Sequence, residues 1–384
     1  MKKVLIFEFY KFLMNKKNLF LISLVVILIT LKIYSTNQAS KLFTENLISD
    51  TQGFHDLLNE DYERAKNDLK LLDASGQQND YITDYIGYAE TNLSMLEKQV
   101  NALKKGNTKT YWEIEYEKLN YQKDNPLVDE SANEGEYVGA EPLRLKLEYL
   151  IDNKLPIDSS LQFPSLGWSS SELMLLYISS IIFLLVFFIM FGDISSSDFE
   201  NKSRFLYSTT IKRKGTIIVA KMIVVVNMLI MLSLFALITN LIVSGLMNGW
   251  GSYMTPVIIG NFNSGFSTVP MLSYLFKFFV YSLFVDIFLS IIFIFLGIVL
   301  KKSLIVIGVI VITYYGFTLV QDNPLILPYL KYIPLSYLDI SKVIGEGLPF
   351  MDSKTPLVGI VYLIILSAIF FRLTLRLVMK NSVY

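Results

Sequence analysis

Apolar residues fall along this chain in long unbroken runs, and six of them approach the roughly twenty residues an α-helix needs to cross about 30 Å of hydrocarbon. They cover 18 to 34, 172 to 191, 217 to 245, 273 to 300, 303 to 320 and 356 to 374. This pattern predicts an all-α polytopic membrane protein with six transmembrane helices. The first run is the shortest and carries Lys32 near its outer end, where the side chain can reach the headgroups. It also fits a signal peptide. Against that, the leader is long and contains Glu8, and the STNQAS that follows lacks a small-x-small cleavage site, so an uncleaved anchor is expected.

Between the first two runs lies a polar insertion, 35 to 171, whose apolar positions recur at helical spacing. Phe54, Leu57, Leu58, Tyr62, Ala65, Leu69 and Leu72 form one stripe; Ile82, Tyr85, Ile86, Ala89, Leu93, Leu96, Val100 and Leu103 form another. The turn formers DASGQQND at 73 to 80 separate them and predict an antiparallel helical hairpin. Shorter helices follow near 110 to 122 and 141 to 153, the second with Pro142 suited to a first turn. Loops are expected at 246 to 272 and, with short helices, at 321 to 355.

Charge orients this scheme. The chain has 34 basic and 34 acidic residues, but 35 to 171 holds 13 basic against 24 acidic, leaving 21 against 10 for the membrane body. Basic residues cluster before span 1 (Lys2, Lys3, Lys11, Lys16, Lys17), between spans 2 and 3 (Lys202, Arg204, Lys212, Arg213, Lys214), between spans 4 and 5, and after span 6 (Arg372, Arg376, Lys380). All four groups fall on one side, whereas 246 to 272 has no Lys or Arg. The positive-inside rule then predicts a multi-pass protein of the cell membrane with both termini cytoplasmic and the insertion extracellular. The 375 to 384 tail is cytoplasmic on this reading, and residues 1 to 17 form an amphipathic helix on the inner surface of the bilayer. Phe7, Phe9, Tyr10 and Phe12 would face lipid, with Lys11, Lys16 and Lys17 at headgroups.

Composition closes several classes of function. With no cysteine and one histidine, His55, neither thiolate chemistry nor a histidine metal cage is available. No GxxxxGK[ST], HExxH or GxSxG occurs, so no nucleotide-cradling loop or familiar hydrolytic centre is expected, and nothing suggests nucleic acid as a partner. Glu113, Glu115 and Glu117 alternate on a predicted helix and do not share a face, so they fit a solvated surface better than a cation site. Only Asp286 lies deep in a span. Two readings stand for it: a contact on a translocation path, or a packing carboxyl bonded to Asn227 or Asn240 on the preceding span or approached by Lys277.

The stretch SDFENKSRFLYSTTIKRKGTIIVAK at 197 to 221 interrupts two apolar runs with organised charge. Ser197-Asp198-Phe199-Glu200 fits a capping box, and Glu200 and Arg204 are spaced as an i,i+4 pair. A short helix over 198 to 208 is expected, exposing Phe199, Phe205, Leu206 and Tyr207. Lys212 and Lys214 in KRKG would then anchor span 3 at the headgroups.

The order of a basic amphipathic leader (KKVLIFEFYKFLMNKKN), span 1, a large external insertion, span 2 and this charged stretch resembles the permease subunits of type-2 ATP-binding-cassette exporters. On that resemblance Glu200 corresponds to a coupling-helix glutamate, Arg213 to the arginine before span 3, and Lys221 to the lysine within it. IPLSYLDISK at 333 to 342 is similar to the Pro-x-x-Tyr pattern between the family's spans 5 and 6. Two departures occur: Lys202-Ser203 stands where the family has Gly-Thr, and the proline before the arginine is missing.

The resemblance implies a permease that pairs with a second copy or a sister permease, and with two copies of a separate cytosolic ATPase. ATP and Mg²⁺ would bind that partner, no cofactor this chain. The 192 to 216 loop would take the ATPase's push and tilt spans 1, 2 and 5. The cargo would be an amphipathic peptide, a lipid or hydrophobic drug, or sodium. Two other classes stay in view: a membrane sensor whose external lobe binds a ligand, and a secondary transporter, for which a clear repeat is missing.

Overall fold

The structure, a computed structural model of the 384-residue chain, describes residues 1–75, 79–125, 130–201, 215–261, 265–321, 323–346 and 355–380. Among the described residues six helices are long and apolar enough to cross a membrane: Lys16–Ala74, Ile181–Glu200, Gly215–Asn248, Met271–Leu300, Ser303–Val320 and Pro356–Met379. The chain is thus a polytopic, all-α membrane protein with an N-terminal helix and a large helical insertion between the first two spans.

Two compact units divide the chain. The membrane unit comprises Met1–Lys32, Ser171–Leu241 and Leu272–Tyr384; the second, the helical lobe, comprises Ile33–Ser170 and Ile242–Met271.

In the membrane unit, α1 runs Lys2–Leu13 and α2 begins at Lys16. Asn15 separates them and accepts from the Lys17 amide at 3.0 Å, a short polar side chain serving one of the orphan donors of the new helix. The run expected as one span at 172 to 191 is two helices, α6 (Gly167–Ile178) and α7 (Ile181–Phe191). The break falls at Ser179–Ser180, where Ser180 takes an extended backbone conformation before α7. A turn after α7 leads to α8 (Ser196–Glu200), and the later spans are α9 (Gly215–Asn248), α10 (Met271–Leu300), α11 (Ser303–Val320) and α12 (Thr355–Lys380). Tight 3₁₀ turns at Leu327–Tyr332 and Pro334–Tyr337 precede α12; the Tyr281 hydroxyl of α10 donates to the Tyr337 carbonyl at 3.0 Å.

In the lobe, α2 continues without a break to Ala74, so span 1 and the first lobe helix are one element of 59 residues, about 90 Å at 1.5 Å per residue. It is followed by α3 (Asp80–Lys104), α4 (Thr108–Asp124) and α5 (Glu130–Asp152). Pro142 sits inside α5 instead of in its first turn, because the helix starts well before the expected boundary. α3 packs on α4, and α4 on α5. Their shared core is Leu47, Leu103, Tyr111, Trp112, Leu119, Leu147, Leu150 and Leu161. Burial, with the Glu115 carboxylate nearby, holds the Tyr111 phenol well above its usual range. After α5 the buried Asp158 closes the loop back toward α6, accepting from the Ser165 and Leu166 amides at 2.7 and 2.8 Å.

One element was not anticipated. Within the loop expected at 246 to 272, β1 (Pro256–Asn261) and β2 (Gly265–Pro270) pair antiparallel and pack on α5. The β-branched Val257, Ile258 and Ile259 facing Thr268 and Val269, with Gly and Asn between, are the signal for it.

Candidate functional site

The membrane unit buries a set of charges where α1, the turn before α8, α8 itself and the start of α9 meet. α1 places Glu8 and Phe12 on one face, four residues apart, and both are buried. Phe12 stacks on Phe191 at the end of α7 with ring centroids 5.1 Å apart. Asn18 donates back to the Phe12 carbonyl at 3.0 Å, which holds α1 folded against the first turn of α2.

Lys221 is the centre of the cluster. It lies inside the apolar α9, fully buried, where a lone ammonium would be prohibitively costly. Its Nζ lies 2.8 Å from Asp198 Oδ2 and 3.4 Å from Glu8 Oε2, and it donates to the Ile194 carbonyl. The other Asp198 oxygen pairs with Lys11. Beside this, Lys17 Nζ lies 2.7 Å from Asp193 Oδ2 and donates to the Ile189 carbonyl at 2.9 Å. Among the described residues, Glu8, Asp193 and Asp198 are thus set against Lys11, Lys17 and Lys221, so that the acids and ammonium groups offset one another.

The arrangement keeps part of the expected outer face of α1, since Phe7 and Tyr10 are exposed, and departs from it at Phe12, Lys11 and Lys17. Lys11 and Lys17 turn inward to acids and Phe12 is packed on protein, while Ile6, Phe7, Tyr10 and Met14 are the exposed large side chains. The reason is electrostatic: the buried Asp198 and the partly buried Asp193 carboxylates neutralise those two ammonium groups, a stronger attraction than a solvated headgroup offers. Lys16 alone of the three expected anchors is exposed.

Glu200 also acts differently from the expected capping box. The residue preceding α8 is Ser195, whose side chain makes no cap, and the Glu200 carboxylate accepts from the Ser303 amide at 2.8 Å and the Ser303 hydroxyl at 2.7 Å. Ser303 opens α11, so Glu200 caps that later span instead of its own helix. An orphan amide at a positive helix end plus a hydroxyl offers a carboxylate two donors at once. Ser196 completes the clasp by donating to the Ser303 hydroxyl at 3.0 Å. Phe199 lies beneath Lys301, 5.9 Å from ring centre to Nζ. α10 passes so close that a Cβ on Gly297 would lie 2.8 Å from Ser195 Cβ, leaving room for glycine only.

Glu8, Lys11, Phe12, Asn15, Asn18, Asp193, Ile194 and Ser197 line a cavity of about 30 Å³. That is water-sized, far below what a peptide, lipid or drug needs. The cluster is a joint between segments and not a cargo pocket. Among the described residues no group of His, Cys, Asp and Glu is arranged to hold a metal ion.

Arg204, Phe205, Leu206, Lys212, Arg213 and Lys214 lie outside the described residues, so the 198 to 208 helix is seen only as far as Glu200. Asp286 on α10 and Asn240 on α9 are both buried. Among the described residues none hydrogen-bonds the Asp286 carboxylate, and Asn227 donates instead to Ile223 on its own helix at 2.9 Å. Glu8, Asp193 and Asp198 were missed as site residues. A lysine five residues into an apolar run and one acid in a basic leader were the available signals, since each demands a partner when buried. No family model matches the chain, and no curated protein or solved structure is significantly similar to it.

Proposed function

We propose that this chain is the membrane-spanning permease subunit of an ATP-driven exporter of the type-2 ATP-binding-cassette kind. It carries no nucleotide site of its own. ATP and Mg²⁺ bind a separate cytosolic ATPase, present in two copies, and the permease pairs with itself or a sister permease. Both termini are cytoplasmic on this reading and the lobe is extracellular, as the basic residues favour. The cargo is a hydrophobic or amphipathic molecule moved outward.

The buried network around Lys221 carries this reading. It fastens α1, α8 and α9 to one another at the residues that flank the proposed docking segment, and Glu200 fastens α8 to α11. A push on the 198 to 208 segment would therefore move the N-terminal helix and two spans together, which is what mechanical coupling to an ATPase requires. To test it, a Glu200→Ala/Arg204→Ala variant is purified with its ATPase. Transport-coupled ATP hydrolysis should fall while the permease still reaches the membrane; unchanged hydrolysis and export would sink the assignment.

A sensor is the second reading, and the unbroken α2 favours it. Span 1 and the first lobe helix belong to one 59-residue helix, so a lobe that binds a ligand is continuous in sequence and secondary structure with a membrane span. Failure of any ATPase to co-purify would shift the balance to this reading.

A further inference from the structure

The lobe has a second built surface, at the end of α9 where that span emerges. Asn248 closes the helix and is tied down on two sides, its Nδ2 donating to Asn37 Oδ1 at 2.8 Å and to the Ser165 carbonyl at 3.1 Å. The chain then runs beside the start of α6: the Gly167 amide donates to the Gly249 carbonyl and the Trp168 amide to the Trp250 carbonyl, both at 3.0 Å. The Trp250 ring folds back over the last turn of α9, where a Cβ on Gly245 would lie 2.6 Å from it. Trp168 and Tyr253 meet edge to face with ring centres 6.3 Å apart. Two of the three tryptophans of the chain, Trp168 and Trp250, are thus held on adjacent segments.

This rigid segment presents apolar surface outward. Leu246 is 74% exposed, Met247 64%, Tyr253 50%, Trp250 49% and Met254 43%. No Lys, Arg, Asp or Glu occurs anywhere from 246 to 272. Tryptophan and tyrosine combine an apolar body with a polar tip, which suits the layer between headgroups and acyl chains. Because the backbone is pinned, little ordering cost is incurred when the surface docks.

We propose that Leu246, Met247, Trp250, Tyr253 and Met254 seat the lobe in the interfacial layer of the leaflet through which α9 emerges, with uncharged glycerol and carbonyl groups of lipid as the binding partner. Lipid is the occupant because the patch begins on the last turn of the membrane-spanning α9, continues directly beyond it, and carries no charge to select a protein or an ionic headgroup. The docking follows from the membrane fold alone and holds whether or not an ATPase couples to the chain.

The test uses the full chain in phosphatidylcholine nanodiscs whose acyl chains carry bromine either near the carbonyl or near the methyl end. Bromine near the carbonyl should quench tryptophan emission more strongly, and Trp250→Phe should remove most of that quenching. Adding anionic lipid or salt should leave it unchanged, since no charge is involved. If Trp250→Phe disturbs the helical circular dichroism, Met247→Trp in the otherwise native chain reports the same depth as added lipid-quenchable emission. Quenching of the Trp250 emission by aqueous iodide instead would make the patch a water-facing surface. Resistance to both quenchers would mean that protein or cargo covers it; stronger quenching from the methyl end would place it in hydrocarbon. Each of these three results overturns the proposal.

Discussion

The two units handle charge in opposite ways. In the lobe, ion pairs join neighbours on one helix: Lys41 with Glu45, Arg64 with Glu60 and Asp61, Lys109 with Glu113, and Arg144 with Glu141 and Glu148. In the membrane unit they join residues remote in sequence, as Lys11 and Asp198 are, 187 positions apart. The lobe's partners follow from helical spacing and most stay in contact with water, so each contributes little. In the membrane unit Lys221, Asp198 and Glu8 are buried, so each of these charges depends on partners that the fold must bring from elsewhere, while Lys11 and Lys17 remain partly exposed.

The sharpest way to break this contrast is Lys221→Ala. It removes the ammonium that the buried Asp198 and Glu8 share, leaving Asp198 with Lys11, and should cost about 3–5 kcal/mol, measured by unfolding of the detergent-solubilised protein. Replacing Lys221 and Asp198 together by Met and Leu should recover part of that loss, because Glu8 and Lys11, three residues apart on α1, can then pair with each other. Equal destabilisation by the single and double variants would show that packing and not charge holds the joint.

The lobe should respond instead to loss of apolar volume. Leu147 is fully buried in its core, and Leu147→Ala should cost about 2–5 kcal/mol, read as earlier loss of lobe helicity on heating. Smallest of all is Arg64→Ala, which removes a side chain 73% exposed with two acids on its own helix and should change stability by less than about 1 kcal/mol. A large effect there would mean that the α2 surface is covered by something, and that the lobe's charges are not simply solvated.

Much of the architecture was legible because lipid imposes a strong one-dimensional signal. Long apolar runs identify spans without any knowledge of their neighbours, and the absence of charge from 246 to 272 was plain in the same way. In the charged stretch after span 2, spacing points Glu200 to Ser197 because that residue is within helical reach, whereas the Ser303 it bonds lies 103 positions away; Arg204 lies outside the described residues. The hairpin at 256 to 270 was passed over because short β-branched segments carry a weaker signal than the spans around them.

α1 shows the same limit. Its alternation of Lys, Phe and Glu establishes that one face differs from the other, and periodicity can say no more. Which face is buried depends on what the rest of the chain offers: here Asp193 and Asp198 with Phe191, which draw Lys17, Lys11 and Phe12 inward and leave Ile6, Phe7, Tyr10 and Met14 outside. The sequence by itself determined the number of spans, the helical insertion and where charge interrupts the membrane segments, because each rests on neighbours along one helix. Only the tertiary structure decided which charges meet, because a buried lysine such as Lys221 is neutralised by whichever carboxylates the packing of separate helices brings within about 4 Å.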